Sequence, residues 1–118
     1  MATSFLPMFP LNIVVYPGEQ LNLHVFEPRY KQLVQECYEK KAPFGIPVFM
    51  KNKVSSYGTE VELLSIEKVF PEGEMDIKTR GKRIFTVSDF YRQAPKKLYP
   101  GGMIHYMDNI NDQDAALQ

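Results

Sequence analysis

The sequence has few of the residues that form disulfides and metal sites. Its 118 residues include a single cysteine, Cys37, which excludes an internal disulfide and a cysteine-rich metal site. The only two histidines, His24 and His105, lie far apart, whereas a zinc site needs three or four ligands at short spacing. We therefore expect no metal site.

Net charge and long apolar runs are also missing. Lysine plus arginine equals aspartate plus glutamate at 14 each, so the overall charge predicts no polyanionic partner. The N-terminus lacks the basic segment of a signal peptide. The longest unbroken apolar run near it is IVVY (13–16), and a bilayer span needs about 20 residues. These features predict a cytoplasmic protein with no membrane contact, and Met1 with a polar tail predicts an intact small protein.

Prolines and turns divide the first 25 residues into short extended pieces. The piece 5–9 contains Pro7, which has no N–H to donate, so we expect an edge strand or an extended lead-in. The β-branched piece 12–16 is a predicted strand that ends at the turn sequence Pro17-Gly18. In 21–25, apolar and polar residues alternate, which predicts a half-buried strand.

One main helix is predicted over 28–41. Pro28 suits the first helical position, where its missing N–H has no partner to lose. Ala42-Pro43 ends the helix. We expect Cys37 to be a small core residue of this helix rather than a reactive thiol. Apolar residues recur on one helical face: Tyr30, Leu33, Val34, Cys37 and Tyr38.

The rest of the chain predicts strands over 44–50, 59–69, 75–80, 84–90 and 103–107, with an interruption at Gly81. The apolar face of 59–69 switches near Leu64 and Ile66, which predicts a bulge or a strong twist. Altogether we predict one mainly β domain over 1–110, with six or seven short twisted strands in a barrel or two sheets, and a polar tail (111–118) that frays.

The opening stretch resembles the start of the N-terminal substrate-binding domain of Lon, the ATP-dependent protease. The resemblance lies in the run from Leu6 to Leu11, the turn Pro17-Gly18 and the cluster FEPRY (26–30). It continues in FGI (44–46), YGT (57–59) and GKRIF (81–85), and covers about residues 5–107. It implies a pseudo-barrel of the PUA-like type with one helix packed against it.

The catalytic parts of that protease have no counterpart in the sequence. There is no G-x-x-x-x-G-K-[ST] loop to cradle nucleotide phosphates, and no serine or threonine matches the family's nucleophile. The sequence also offers no nucleophile–base pair. We therefore expect a non-catalytic module that has no cofactor and resembles stand-alone proteins made of this domain only.

A polypeptide is the first predicted partner. The opening segment has more apolar residues than a half-buried sheet face needs, and six methionines add adaptable contacts. An unfolded polypeptide or a partner protein would dock in a groove or along an exposed strand edge. Alternatively, the apolar residues belong to the core, and the charged residues Glu27 and Arg29 stabilise the start of the helix. The predicted polypeptide-binding residues are Met8, Phe9, Tyr16, Phe26, Glu27 and Arg29.

RNA is the alternative partner, through a basic strip. Residues 78–97 hold seven basic side chains against one acidic residue, Asp89. The simpler interpretation is that these side chains pair with the acidic residues of 60–76 across a hairpin, at about 0.2–1 kcal/mol per pair. The oligomeric state is left open. The predicted RNA-binding residues, called here the basic strip, are Lys78, Arg80, Lys82, Arg83, Lys96 and Lys97.

Overall fold

The computed structural model of the protein describes residues 3–107, which form six strands and one helix. This agrees with the mainly β fold expected from the sequence. The tail predicted over 111–118 lies outside the described residues. In chain order the elements are β1 (Ser4–Pro7), β2 (Gln20–Val25), α1 (Pro28–Lys40), β3 (Phe44–Met50), β4 (Lys53–Val69), β5 (Met75–Tyr91) and β6 (Gly101–Tyr106).

All the strands belong to one antiparallel sheet, which closes on itself. The strand order is β1-β6-β5-β4-β3, and β2 pairs with the first part of β5. The segment after β1 joins the two ends of this order through parallel bridges from Met8 to Gly45 and from Leu11 to Val48. The Phe9 N–H donates to the Gly45 carbonyl oxygen at 2.8 Å within this closure. The result is a small barrel, which leaves fewer open strand edges than a flat sheet would.

The segment 12–16 is not a strand, although its β-branched residues predicted one. Pro10 and Pro17 bound it, and its backbone is held by a side chain rather than by a neighbouring strand. Thr59 Oγ1 donates to the carbonyl oxygen of buried Val15 at 2.5 Å. The loop then runs so close to β5 that a side chain at Gly81 would collide with the Tyr16 carbonyl oxygen.

Gly81 therefore does not interrupt the sheet, and the predicted break at this position is wrong. β5 runs from Met75 to Tyr91 without a gap, with a one-residue register shift where Val61 faces Gly81 and Glu60 faces Arg83. The bulge predicted near Leu64 is confirmed by further register shifts in β4. These irregularities let two 17-residue strands bend around the barrel.

The helix α1 covers one side of the barrel, at nearly the predicted position. Four of its five predicted apolar-face residues are buried, whereas Tyr38 is exposed. Burying a side chain such as Leu33 contributes about 1.5–3 kcal/mol. Burial also raises the pKa of the Cys37 thiol to about 12, which agrees with a core role.

The helix α1 has 13 residues, fewer than the expected minimum for a membrane span. Within residues 3–107 no helix is long and apolar enough to cross a membrane.

The buried apolar residues form two cores. The main core lies between α1 and the sheet and includes Phe9, Tyr30 and Leu33, and the second, smaller core surrounds Phe85. Its ring is fully buried, and Gly45 and Gly58 flank it. A Cβ atom would stand 2.8 Å from the ring at Gly45 and 2.6 Å at Gly58, closer than real Cβ contacts. The glycines in FGI (44–46) and YGT (57–59) are thus explained by the space that Phe85 occupies.

Candidate functional site

A groove of about 780 Å³ opens at one end of the barrel. It lies where the start of α1, the turn between β3 and β4, and the end of β5 come together. Its floor is apolar and its rim is charged. The floor is formed by Phe9, Leu11, Tyr30, Phe49, Val54 and Phe90, with Pro10 and Pro100, and the rim by Glu27, Arg29, Asn52, Lys53 and Arg92.

Two aromatic rings form the rigid part of the floor. Phe9 and Tyr30 stack with ring centroids 4.0 Å apart, and both residues are largely buried. The bridge from Met8 to Gly45 fixes the backbone beside Phe9, and the first turn of α1 fixes Tyr30. This part of the groove is therefore preformed, which lowers the entropic cost of binding.

Phe49 forms the accessible part of the floor. It is 39% exposed, next to exposed Met50 at the end of β3. A register shift after Pro47 alters the pairing of Phe49 with β4. The two turn residues, Lys51 and Asn52, both have positive φ angles (52° and 63°), as a tight hairpin turn requires. The hairpin thus holds an apolar side chain at the groove mouth.

Residues 3–107 place three cations and one carboxylate on the rim. Glu27 is the N-cap residue of α1, and its Oε1 accepts a hydrogen bond from Arg29 Nε at 3.1 Å. The Arg29 guanidinium also lies 4.8 Å from the centre of the Tyr30 ring. Lys53 and Arg92 are exposed, and no carboxylate of residues 3–107 lies within ion-pair distance of either. The positive charge of the rim is therefore only partly neutralised.

The structure brings together three of the six residues predicted to bind polypeptide. Phe9, Glu27 and Arg29 line the groove. Met8 does not, because it is fully buried in the second core and offers no surface to a ligand. Tyr16 and Phe26 are 66% and 57% exposed, but neither lines the groove.

Several groove residues were missed by sequence reasoning. Tyr30 was assigned only to the helix core, and Phe49 only to a strand. Lys53 received no role and Arg92 was only counted among the basic side chains of 78–97, because nothing local brings a β-turn and the end of a later strand to one place. One usable signal was the apolar pair Phe49 and Met50 beside the polar turn sequence KNK (51–53).

Phe26 belongs to a separate cluster around His24, at the β4–β5 turn. His24 Nδ1–H donates to Asp76 Oδ1 at 2.7 Å, and Nε2–H donates to Glu74 Oε1 at 2.8 Å. Both ring nitrogens can donate only when the imidazole is protonated. The hydrogen bond to Asp76, and then that to Glu74, accordingly raise the pKa of His24. Phe26 and Phe70 lie 6.2 and 5.5 Å from its ring centroid.

Three residues of the basic strip pair with acidic residues of 60–76, as the simpler interpretation predicted, and Lys97 pairs with Glu36 of α1 instead. Arg80 and Lys96 are exposed. The ion pairs of the basic strip are Lys78–Glu67 at 3.5 Å, Lys82–Glu62 at 3.8 Å, Arg83–Glu60 at 3.1 Å and Lys97–Glu36 at 2.9 Å.

No group of three or more His, Cys, Asp or Glu side chains within residues 3–107 could hold a metal ion.

Two of the ion pairs of the basic strip extend into networks that hold the fold together. Glu60 is buried, and its second oxygen accepts a hydrogen bond from the Tyr106 hydroxyl at 2.6 Å. Glu36 likewise accepts from the Tyr99 hydroxyl at 2.6 Å and from Lys97, which lowers the pKa of its carboxyl. The second network ties α1 to the loop before β6.

Comparison with known proteins gives consistent matches. The profile of the family described as the ATP-dependent protease La (LON) substrate-binding domain matches residues 5–118. A crystal structure of a Lon N-terminal domain protein from Xanthomonas campestris superposes with a TM-score of 0.75 at 32% identity. The N-terminal domain of a Mycobacterium avium complex Lon protease has the same fold, with a TM-score of 0.70 at 12% identity.

The chain covers only part of these proteins. It is 26% identical over 106 residues to a LON peptidase N-terminal domain and RING finger protein of Schizosaccharomyces pombe, covering 74% of this chain and 21% of that protein. The matches to the two solved structures cover 87% and 88% of this chain, and 59% and 55% of those chains.

Proposed function

Because the chain belongs to the Lon substrate-binding domain family, we propose that it is a non-catalytic module that binds unfolded polypeptide. The binding site is the groove between α1, the β3–β4 turn and the end of β5. An extended segment places an apolar side chain on the floor, against Phe49 and the Phe9–Tyr30 stack. Its backbone and polar side chains then face the charged rim.

The observation that carries this proposal is the combination of floor and rim in one concave site. A volume of about 780 Å³ suits a few side chains of an extended peptide. The floor offers partly exposed aromatic surface at Phe49, against which an apolar residue of the peptide can be buried. Such a site binds many sequences, as a receptor for unfolded chains must.

RNA binding is the weaker alternative, because of how the basic strip is arranged. Four of its six residues are paired with acidic residues of the same chain. A phosphate would have to compete with those carboxylates, which reduces the counterion release that drives RNA binding. RNA binding by the strip therefore stays a prediction.

Fluorescence anisotropy with a labelled, permanently unfolded polypeptide tests the proposal. We expect saturable binding and an increase in Kd of roughly 5- to 30-fold in Phe49→Ala, because accessible aromatic residues dominate such sites. Phe26→Ala is the matched control, since Phe26 is also exposed but lies outside the groove. A folded Phe49→Ala that binds like wild type would overturn the proposal, and a loss confined to Phe26→Ala would move the site to the β4–β5 turn.

A further inference from the structure

The rim of the groove carries positive charge that the described part of the chain does not neutralise. Arg29 is paired with Glu27, the only carboxylate that residues 3–107 contribute to the rim. Lys53 and Arg92 have no such partner within residues 3–107. The described residues therefore give the groove an excess of two positive charges, although the whole chain has a formal net charge of zero.

This excess contrasts with the part of the basic strip that lies in β5. Of its four cations, those of Lys78, Lys82 and Arg83 each meet a carboxylate of β4, and Arg80 is exposed. From the sequence alone, the positive potential would be expected along the basic strip, because its basic residues outnumber the acidic ones. Cross-strand pairing neutralises these three residues, whereas Lys53 and Arg92 stand at the groove, where apolar walls reduce solvent screening and focus the field.

The cations also stand on different elements around the floor. Arg29 comes from the first turn of α1, Lys53 from the first residue of β4, and Arg92 from the residue after β5. A carboxylate on either side of a bound apolar residue would thus approach a cation of the rim. Complementary charge of this kind determines which partner is chosen more than how tightly it binds.

We infer that the groove selects polypeptide segments in which an apolar or aromatic residue is flanked by aspartate or glutamate. This inference rests on the proposed function and adds the class of segment that the groove prefers. Segments whose apolar residues are flanked by lysine or arginine are disfavoured by the same charges.

Three labelled peptides that differ only in their flanking residues test the inference. Each has the same aromatic centre, flanked by aspartate, asparagine or lysine. We expect the aspartate peptide to bind roughly tenfold more tightly than the lysine peptide at low salt, and the difference to shrink at high salt as screening increases. The asparagine peptide should lie between them.

A pair of charge-reversal variants locates the effect. Arg92→Glu should abolish or reverse the preference for aspartate over lysine. Lys96→Glu is the matched control, because it makes the same change in net charge in the same loop but lies outside the groove. It should keep the preference within about twofold, since exposed charges farther away are screened.

The outcomes distinguish a failure of the proposed function from a failure of the acidic preference. If no peptide binds, or if Phe49→Ala leaves binding unchanged, the proposed function fails and the inference fails with it. If all three peptides bind equally and Phe49→Ala weakens each of them, polypeptide binding stands and the acidic preference is overturned. The acidic preference is also overturned if Lys96→Glu and Arg92→Glu lose it equally. It is overturned as well if the peptides show no preference and the protein instead binds RNA in a way that Arg92→Glu removes.

Discussion

Phe9 stacks on Tyr30 with the ring planes within 11° of parallel. The contact joins the segment that closes the barrel to the first turn of α1. It is therefore both part of the main core and part of the groove floor. Substitutions on the two sides of the groove should differ accordingly in their effects on folding and on binding.

Phe9→Ala should lower the free energy of unfolding by about 3–5 kcal/mol, because it removes a buried ring and leaves a cavity. Phe49→Ala should lower it by no more than about 1 kcal/mol, since Phe49 is partly exposed. Urea unfolding followed by circular dichroism measures both values. Equal costs for the two variants would show that the stack is not part of the core.

Stability should depend on pH through His24. Its pKa is raised in the folded protein, mainly by the hydrogen bonds to Asp76 and Glu74. The stabilisation is therefore fully present below the unfolded pKa of about 6.5, and it is lost as the pH rises through the folded value. Urea midpoints measured between about pH 6 and pH 9 should fall more in wild type than in His24→Gln. Parallel curves for the two proteins would contradict this origin.

The buried carboxylate of Glu60 should make Tyr106 important for stability. The Tyr106 hydroxyl donates to Glu60 at 2.6 Å, and burial raises its own pKa to about 12. Tyr106→Phe keeps the ring beneath Arg83 but removes this donor, at an expected cost of about 1.5–3 kcal/mol. Tyr57→Phe, at an exposed tyrosine, is the control and should be neutral. A neutral Tyr106→Phe would mean that the hydrogen bond is absent in solution.

Cys37 should be inert in the native protein. Burial places its thiol pKa near 12, so almost no thiolate forms at neutral pH. Reaction with a coloured thiol reagent should be at least about a hundredfold slower in buffer than in denaturing urea. Rapid native modification would require that α1 separates from the barrel far more easily than its burial implies.

Gly45 and Phe85 should be energetically coupled. Gly45→Ala places a methyl group against the Phe85 ring and should cost about 1–3 kcal/mol. In a Phe85→Leu background the same substitution should cost less, because the shorter side chain leaves room. A double-mutant cycle in urea measures this coupling. Additive costs would place the strain elsewhere, for example on Leu6 or Met8, which lie equally close.

Local patterns predicted most elements of this fold. The spacing of Tyr30, Leu33, Val34 and Cys37 gave the buried face of α1, and alternation gave β2, because both signals reflect which side of an element meets the core. The prediction of a strand over 12–16 was wrong, because its β-branched residues fit a strand but no strand of residues 3–107 pairs with it. Gly81 was misread for a related reason. A glycine that ends a strand and one that admits a neighbouring loop look alike in sequence.

The groove was only partly predictable. Phe9 belongs to the run from Leu6 to Leu11, and Glu27 and Arg29 belong to FEPRY (26–30), so short local motifs could point to all three. Lys53 and Arg92 reach the rim only through the pairing of β4 with β5. The charges of the basic strip were visible in the sequence, but their neutralisation depends on the register of those two strands.

The closure of the barrel constrains how the chain can fold during synthesis. Ser4 of β1 lies opposite Ile104 of β6, one hundred residues later. The chain between them must be made, and β6 must leave the ribosome, before β1 has its partner. Until then the apolar side chains of the opening strands have no complete barrel to enter. A nascent chain of this kind should depend on chaperones or on slow elongation more than a helical protein of equal length, because its decisive contacts are the most distant in sequence.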